Sequence, residues 1–321
     1  MLKDYYNRSF HYLRLSITDL CNFSCKYCVP DSYSFKKKKY LSIDEIYNLV
    51  FFLSDLGIQK IRVTGGEPTT RNDFITIGKI IKSFSNIQSL VFTTNGYKLE
   101  EIAEDAFNVG FNGVNVSLDT LNKEKFNIIT GKNYFEKIYS GILKSISIGL
   151  NVKINVVLSK FFSFDDFEDF YFLLKYKNVT IRFIDQMSTN FNFNLEKKLI
   201  KSSSIHKFLI DNYWEKEEKK FLDGPAFVFK NKNFLGKIGL ISPYSDKFCE
   251  GCNRLRISAS GELFLCLFGN SKYYIRNYLD SYKKKNEFKN YLIESLKFKT
   301  KSHSLFDKKF GMLNHFSSIG G

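Results

Sequence analysis

Residues 21–28 read Cys-Asn-Phe-Ser-Cys-Lys-Tyr-Cys and follow a strand-like run, Leu-Arg-Leu-Ser-Ile-Thr, at residues 13–18. The cysteines are spaced C-x3-C-x2-C, so this short loop offers three thiolates and no fourth ligand. A cube of four irons held by three cysteines keeps one iron without a protein ligand. An open position of this kind distinguishes a reactive metal site from a structural one, as it does for zinc. The stretch therefore predicts a reactive iron–sulfur site at the end of a strand.

A second group of three cysteines lies far along the chain. Two residues separate Cys249 from Cys252, and thirteen separate Cys252 from Cys266. Six cysteines in two triplets, with none left over, favour two metal sites over disulfides or scattered buried thiols. A zinc knuckle needs a fourth Cys or His nearby, and only the distant His303 and His315 are candidates. Zinc is therefore the alternative to a second four-iron cluster.

The sequence from residue 13 to residue 187 alternates short β-branched runs with longer amphipathic segments. Strand-like runs begin near residues 13, 61, 90, 114, 152 and 179, with helical periodicity between them. Ser42 and Glu45 form a capping box before the first helix, and Ser163 is an N-cap before a later one. Six such units predict an α/β fold with a parallel sheet covered by helices. We expect an incomplete (β/α)6 barrel of the TIM type, not a closed eight-stranded barrel.

Polar motifs follow the predicted strands at their carboxyl ends. The first cysteine triplet follows the first strand, and Gly-Gly-Glu-Pro at 65–68 follows the second. Thr-Thr-Asn-Gly at 93–96 ends the third, Ser117 the fourth and Met187 the sixth. Because parallel strands of a barrel end at the same rim, these motifs are expected to form one site.

The remainder of the chain is less regular. Residues 188–235 are polar and poorly patterned, and we interpret them as a connection into a second unit. The second cysteine triplet surrounds a hairpin signal at residues 258–262, and the chain ends in Gly320 and Gly321. We therefore expect two domains, 1–187 and 188–321. Taken alone, two terminal glycines would indicate a frayed end.

Composition limits the class of protein. The formal net charge of +15 permits a polyanion-binding surface. The lysines are scattered, however, and abundant Lys, Ile and Phe with scarce Pro and Trp favour compositional drift with a locally basic pocket. No stretch approaches the ~18 apolar residues of a membrane span, and the N-terminus lacks the apolar run of a signal peptide. We expect a soluble cytoplasmic protein.

The first triplet together with residues 65–68 resembles the radical S-adenosylmethionine (SAM) superfamily. The second triplet, Leu-Arg-Leu-Ser at 13–16, Ile-Arg-Phe-Ile-Asp-Gln-Met at 181–187 and the Gly-Gly tail resemble, more narrowly, the GTP 3′,8-cyclase family of molybdenum cofactor biosynthesis. The resemblance extends from about residue 12 to residue 321 and is weakest over 188–235 and 270–310. Asp185 and Gln186 depart from the acidic–aromatic pair that the family pattern leads us to expect.

The resemblance implies the following site residues. The ligands of a SAM-binding [4Fe-4S] cluster would be Cys21, Cys25 and Cys28, and those of a substrate-binding [4Fe-4S] cluster Cys249, Cys252 and Cys266. SAM would contact Tyr27, Gly66, Ser117 and Met187. GTP would contact Arg14, Arg62, Thr93, Lys153, Arg182, Arg254, Leu255 and Arg256. Gly320 and Gly321 would reach into the active site as catalytic residues.

The cations among these residues also have a physical rationale. Arg14, Arg62 and Arg182, like Lys153, lie on predicted strands whose neighbouring residues are apolar. A buried charge is costly without a partner, and a triphosphate is a partner that several cations can share. The alternatives are that some face solvent or pair with acidic residues, of which the candidates are Glu67, Asp119 and Asp185.

The reaction implied is the radical SAM-dependent conversion of GTP to (8S)-3′,8-cyclo-7,8-dihydroguanosine 5′-triphosphate. Expected partners are GTP, a reducing donor such as flavodoxin or ferredoxin, the downstream cyclic pyranopterin monophosphate synthase and a second copy in a homodimer, with no membrane. One alternative is a two-cluster radical SAM peptide maturase, although such enzymes usually have more cysteines. A second alternative is a zinc-stabilised nucleic-acid-binding protein, whose binding would weaken steeply with salt.

Overall fold

A computed structural model describes residues 1–26, 28, 39–188, 199–245, 247–305, 307 and 311. The strands of the described residues are β1 (Leu2–Lys3), β2 (Ser9–Phe10), β3 (Tyr12–Ser16), β4 (Lys60–Thr64), β5 (Ser89–Thr94), β6 (Gly113–Ser117), β7 (Asn151–Leu158), β8 (Thr180–Asp185), β9 (Glu215–Lys216), β10 (Phe227–Lys230), β11 (Lys237–Ile241), β12 (Arg254–Ile257), β13 (Glu262–Phe264) and β14 (Tyr273–Tyr274). The α-helices are α1 (Ile43–Asp55), α2 (Phe74–Lys82), α3 (Leu99–Asn108), α4 (Lys123–Thr130), α5 (Phe135–Ser147), α6 (Phe164–Tyr176), α7 (Ser202–Asp211) and α8 (Lys285–Leu296).

The six predicted β/α units form the centre of one large sheet. Strands β3, β4, β5, β6, β7 and β8 are neighbours in that order, and every pairing among them is parallel. At least one helix lies between each pair of consecutive strands, as right-handed parallel crossovers require. The predicted α/β fold with a partial barrel is confirmed.

Two strands from the C-terminal part of the chain extend this sheet at opposite edges. Strand β12 pairs in parallel with β3, and β11 pairs in parallel with β8. The antiparallel strands β13 and β14 lie beyond β12, and β10 and β9 lie beyond β11. The predicted hairpin at 258–262 is the β12–β13 turn, where Gly261 has φ of +84°. The two predicted domains, 1–187 and 188–321, therefore contribute strands to a single sheet.

Helix starts follow the local sequence. Ser42 accepts a hydrogen bond from Glu45 N, and the Glu45 carboxylate accepts one from Ser42 N, which completes the capping box of α1. Ser163 and Asp166 form the same arrangement at α6. These caps satisfy backbone N–H groups that have no partner within the helix. Both capping predictions are confirmed.

The segment interpreted as a poorly patterned connection contains regular structure. Helix α7 and strands β9 and β10 lie between residues 199 and 230. The Asp185 carboxylate accepts hydrogen bonds from the backbone N–H and the hydroxyl of Ser202, both at 2.7 Å, at the start of α7. The side chain that departs from the family pattern therefore anchors a helix.

Alternation along the strands separates an apolar outer layer from a polar interior. In β3, Leu13 and Leu15 are fully buried in the hydrophobic core, whereas Arg14 points the other way and lines a central cavity. Arg14 is in register with Arg62 of β4 on one side and Arg256 of β12 on the other. Period-two alternation in a barrel thus brings charged side chains together inside the sheet. None of the helices in the described ranges has the length and apolar character needed to cross a membrane.

Candidate active site

The three cysteines of the first triplet line one cavity at the carboxyl ends of the parallel strands. Of the predicted SAM residues, Gly66, Ser117 and Met187 line the same cavity. The hydrogen bond from Cys28 N to Cys25 O, 2.9 Å long, closes the turn between these two cysteines. The structure thus brings together every described residue that was predicted for the first site.

Residues 65 and 66 must be glycine because backbone atoms occupy the space of a side chain. A Cβ atom at Gly65 would lie 2.2 Å from Thr18 O, and one at Gly66 would lie 2.1 Å from Leu20 O. Gly66 N and Glu67 N donate to Thr18 O and Leu20 O at 2.9 Å and 2.7 Å. The end of β4 is therefore bonded directly to the segment that leads into Cys21. Close approach of two backbones is what glycine permits.

Glu67 connects the ends of two strands to this cavity. Its carboxylate accepts hydrogen bonds from Thr69, from the Thr94 hydroxyl at 2.8 Å and from Asn95 N at 2.6 Å. Burial raises the pKa of Glu67, although these hydrogen bonds oppose the shift. The Asn95 amide in turn donates to Asn22 Oδ1 at 2.7 Å, inside the cysteine loop. Glu67 therefore positions the cysteine loop. The hydrogen-bond partners of its carboxylate are threonine and asparagine groups and not the interior arginines.

The second cysteine triplet lines a separate cavity on the inner face of the sheet. Cys249, Cys252 and Cys266 surround it with five arginines that were predicted to bind GTP, namely Arg14, Arg62, Arg182, Arg254 and Arg256. The structure therefore joins residues from both ends of the chain in one place.

The two cavities share part of their walls. Asn155, Ile184 and Met187 line both of them. Met187 was predicted from the family pattern, whereas Asn155 was missed. The signal for Asn155 is its position two residues after Lys153 on the same strand, which places both side chains on one face. Molecules bound in the two cavities would meet at these three residues.

Four of the arginines are buried, with exposed fractions of 5–7% for Arg14, Arg62, Arg182 and Arg256. Burial and the neighbouring arginines lower the pKa of Arg14 to about 10 and that of Arg182 to about 9. One amino group of Arg182 donates to the Asn115 side-chain oxygen. The Nε atoms of Arg62 and Arg182 have no hydrogen-bond partner among the described residues. Buried donors of this kind point to an anionic ligand as their partner.

Two lysines and a tyrosine interact electrostatically with these arginines and belong to the same charged cluster, namely Lys60, Lys153 and Tyr12. Burial lowers the pKa of Lys153 to about 7, and Arg182 and Lys60 reinforce the shift. Burial alone would raise the pKa of Tyr12, but Arg62 and Arg14 outweigh it and lower it to about 7. The guanidinium carbon of Arg62 lies 5.6 Å from the centre of the Tyr12 ring. Tyr12 and Lys60 were missed by the sequence analysis, although each lies two residues before a predicted arginine.

Other predicted site residues occupy different places. Thr93, predicted to contact GTP, lines the first cavity beside the cysteines. The Leu255 side chain is fully buried in the hydrophobic core on the opposite face of β12 from Arg254 and Arg256. A nucleotide in the second cavity could therefore contact Leu255 only through its main-chain atoms. Tyr27, Gly320, Gly321 and His315 lie outside the described residues.

Each cavity presents three cysteine side chains as candidate metal ligands. All six cysteines are partly exposed, and each lines one of the two cavities. Nowhere in the described ranges do three His, Cys, Asp or Glu side chains converge closely enough to hold one ion. His303 has both ring nitrogens in hydrogen bonds, to Pro243 O at 2.7 Å and from Leu305 N at 3.3 Å. The zinc alternative therefore lacks a fourth donor at His303.

The pKa shifts of the cysteines differ within the second triplet, because burial raises the pKa of Cys249. Burial alone would raise the pKa of Cys252, but the positive charges of Arg254 and Lys299 lower it to about 6. In the first triplet, burial raises the pKa of Cys21 to about 11. Thiolates are the ligand form of cysteine. The neighbouring cations therefore favour the ligand form at Cys252, whereas burial opposes it at Cys249 and Cys21.

Comparison with known proteins agrees with this geometry. The sequence profile described as Radical SAM superfamily matches residues 15–174, and Molybdenum Cofactor Synthesis C matches residues 179–305. Among solved structures, Streptococcus suis SuiB bound to S-adenosylmethionine superposes with a TM-score of 0.64 at 13% identity. The superposition covers 86% of this chain and 65% of that one. The fold and the site together define a radical SAM enzyme, with SAM and an iron–sulfur cluster as its cofactors.

Similar curated proteins show which family of radical SAM enzymes this chain belongs to. A GTP 3′,8-cyclase of Psychromonas ingrahamii is 43% identical, with 100% of this chain and 95% of the relative covered. Those of Tolumonas auensis and Haemophilus influenzae are 38% and 40% identical, again with 100% of this chain and 96% of the relative covered. This chain belongs to the GTP 3′,8-cyclase family.

Proposed function

We propose that this chain converts GTP to (8S)-3′,8-cyclo-7,8-dihydroguanosine 5′-triphosphate with SAM and two [4Fe-4S] clusters. The observation that carries the proposal is the shared wall between a cavity lined by one cysteine triplet and a cavity lined by the other. The five arginines that line the second cavity favour a ligand with several negative charges. A nucleoside triphosphate supplies both that charge and a base for the cysteine-lined end.

Cys21, Cys25 and Cys28 would hold the first cluster, which when bound supplies the electron that splits SAM into methionine and a 5′-deoxyadenosyl radical. The residues of this chain then control where SAM lies. Gly66 would leave room for the polar end of SAM next to the cysteines, and Ser117 and Met187 line the same cavity. Ile184 and Met187 exclude water where the two cavities meet, which protects a radical from stray hydrogen donors.

Cys249, Cys252 and Cys266 would hold the second cluster, and the guanine base would lie against it. Arg14, Arg62 and Arg182 would bind the triphosphate, because their guanidinium groups are buried and aim into the same cavity. Guanidinium–phosphate contacts are bidentate and fix orientation as well as charge. With the base and the triphosphate of GTP both held, its ribose would lie near Asn155 and Met187, within reach of the first cavity.

We also propose the remaining assignments of this function. Residues 1–187 would form the SAM-binding part and residues 188–321 the second-cluster part, with Gly320 and Gly321 entering the active site and Tyr27 contacting SAM. The reductant would be flavodoxin or ferredoxin, and the product would pass to cyclic pyranopterin monophosphate synthase. The enzyme would act in the cytoplasm as a homodimer.

Anaerobic reconstitution followed by incubation with SAM, a reductant and GTP tests the proposal. We expect about eight irons per chain, together with 5′-deoxyadenosine and a cyclised GTP product detected by mass spectrometry. Cys266→Ser should reduce the iron content to about four per chain and abolish the cyclised product. Tightly bound zinc with no turnover of SAM would instead support the nucleic-acid-binding alternative.

A second variant tests the substrate assignment. Arg254→Ala should weaken GTP binding, measured by calorimetry without reductant, while both clusters and SAM binding are retained. Lys297→Ala provides the matched control, because that lysine is 62% exposed and pairs only with Glu294 among the described residues. Unchanged GTP affinity in Arg254→Ala would remove this arginine from the substrate site.

A further inference from the structure

The turn of a short N-terminal hairpin, β1–β2, carries Arg8, which contacts the first cysteine of the second triplet. This turn is organised by Asp4, whose carboxylate accepts hydrogen bonds from Tyr6 N at 2.9 Å and Arg8 N at 3.0 Å. Arg8 Nε donates to the same carboxylate at 2.6 Å. Asp4 and Arg8 are both buried, with exposed fractions of 7% and 9%. A buried ion pair with this many hydrogen bonds fixes the direction of the guanidinium group.

Arg8 uses its remaining donors on main-chain oxygens. Nη1 donates to Cys249 O at 3.2 Å and to Lys301 O at 2.7 Å, and Nη2 donates to Thr300 O at 2.6 Å. Cys249 is the first ligand of the second triplet, and residues 300–301 follow helix α8. One side chain near the start of the chain therefore clamps the first cysteine of this triplet to the C-terminal segment.

A second buried cation, which follows helix α8, packs against the hairpin and reaches the other part of the triplet. Lys299 is only 4% exposed, and its ammonium group donates to Leu265 O, next to Cys266. The ammonium nitrogen also lies 5.3 Å from the ring centre of Phe10, which belongs to β2. A buried ammonium group is costly to keep charged unless nearby groups stabilise it. The carbonyl and the ring supply part of that stabilisation, and thiolates would supply the rest.

We propose that the β1–β2 hairpin and Lys299, which packs against it, position the second cluster site: Arg8 holds the Cys249 loop, and Lys299 holds the Cys266 loop and places positive charge beside it. The inference rests on the proposed second cluster. Three thiolates around a four-iron core carry net negative charge, and reduction adds another. Neighbouring positive charge and the hydrogen bonds that orient ligands set both the occupancy and the reduction potential of such a cluster.

Lys299→Met tests the charge without removing much volume. We expect the midpoint potential of the second cluster, followed by EPR during a redox titration, to move to more negative values, because the reduced cluster loses a stabilising cation. A chain with Cys21, Cys25 and Cys28 replaced by alanine isolates that signal. Lys299→Arg should restore the potential. Lys297→Met, two residues earlier and exposed, is the control that should leave it unchanged.

Arg8→Met tests the clamp. We expect the iron content of the holoenzyme to fall from about eight to about four per chain, with SAM cleavage by the first cluster retained. If this variant does not fold, as judged by circular dichroism, the Lys299 potential alone decides the inference. Unchanged potential in Lys299→Met, or an unchanged iron content in folded Arg8→Met, would overturn it and leave the hairpin as a structural clasp. A wild-type chain with only four irons would overturn the proposed second cluster itself, so the two failures are distinguishable.

Discussion

Gly66→Ala is the substitution whose effect follows most directly from the structure. The backbone of Gly66 does not have a positive φ, so alanine introduces no conformational strain of its own. The added methyl carbon, however, would lie 2.1 Å from Leu20 O, 2.5 Å from Leu20 C and 2.7 Å from Asp19 O. These are backbone atoms, which cannot rotate away as a flexible side chain can. The strand end and the segment leading to Cys21 must therefore separate.

The size of the effect can be worked out from these distances. Restoring an ordinary contact of 3.4 Å requires a separation of 3.4 − 2.1 = 1.3 Å. This would lengthen the Glu67 N to Leu20 O hydrogen bond from 2.7 Å to about 4 Å and break it. Overpacking costs about 1–3 kcal/mol and the lost hydrogen bond about 1 kcal/mol. The total destabilisation is therefore about 2–4 kcal/mol. An unfolding entropy of about 2.1 cal/mol/K per residue gives about 0.7 kcal/mol/K for the whole chain. Dividing the destabilisation by this entropy gives a decrease in Tm of about 3–6 °C.

The assay is thermal unfolding of the reconstituted enzyme at a fixed scan rate, with the EPR spectrum of the first cluster recorded with and without SAM. Gly224→Ala is the matched control, because no atom lies within 4 Å of its added Cβ and its φ is not positive. We expect the control to change the free energy of unfolding by less than about 1 kcal/mol. Gly66→Ala should also lose the change in the EPR spectrum that SAM produces. A Tm and a SAM response equal to those of the control would refute the reasoning.

Three further predictions concern the substrate cations and two helix starts. GTP should bind more weakly as pH rises through about 7, because Lys153 then loses its proton; burial and Arg182 lower the pKa of this lysine to about 7. Calorimetry on Lys153→Arg, which stays charged, should show a smaller decrease in GTP affinity over the same pH range. An equal decrease in both proteins would contradict the assignment. Ser163→Ala removes the N-cap of α6 and should lower the free energy of unfolding by about 1 kcal/mol, seen as a lower Tm. Asp185→Ala leaves the backbone N–H of Ser202 without its acceptor, whereas the Ser202 hydroxyl keeps its contact with the Ser242 hydroxyl, and the change should cost about 1–3 kcal/mol. Proteolysis that does not become faster at the start of α7 would argue against this role.

Local features of the fold could be read from the sequence because they depend on neighbouring residues. Capping at Ser42 and Ser163, the turn at Gly261 and the order of strands from 13 to 184 all follow from short-range hydrogen bonding and periodicity. Helix α7 escaped prediction because a capping carboxylate, Asp185, lies far from it along the chain.

The interior charges were predictable only in part. Arg14, Arg62 and Arg182 were recognised as buried cations because a strand with apolar neighbours rarely carries arginine. Tyr12, Lys60 and Asn155 lie on the same faces of the same strands, yet their residue types are common elsewhere and give no signal by themselves. Their importance appears only once neighbouring strands bring other charges within a few ångströms.

By itself the sequence showed two triplets of cysteines and predicted a parallel β/α sheet that carries the first. Tertiary structure alone decided how the two triplets relate: β12 pairs with β3, β11 pairs with β8, and Asn155, Ile184 and Met187 line both cavities. The contact between Arg8 and Cys249, 241 residues apart, belongs to the same category. The physical reason is that strand pairing uses main-chain hydrogen bonds, which are alike in every residue except proline. Which distant strands become neighbours therefore depends on how the whole chain packs, and local sequence does not state it.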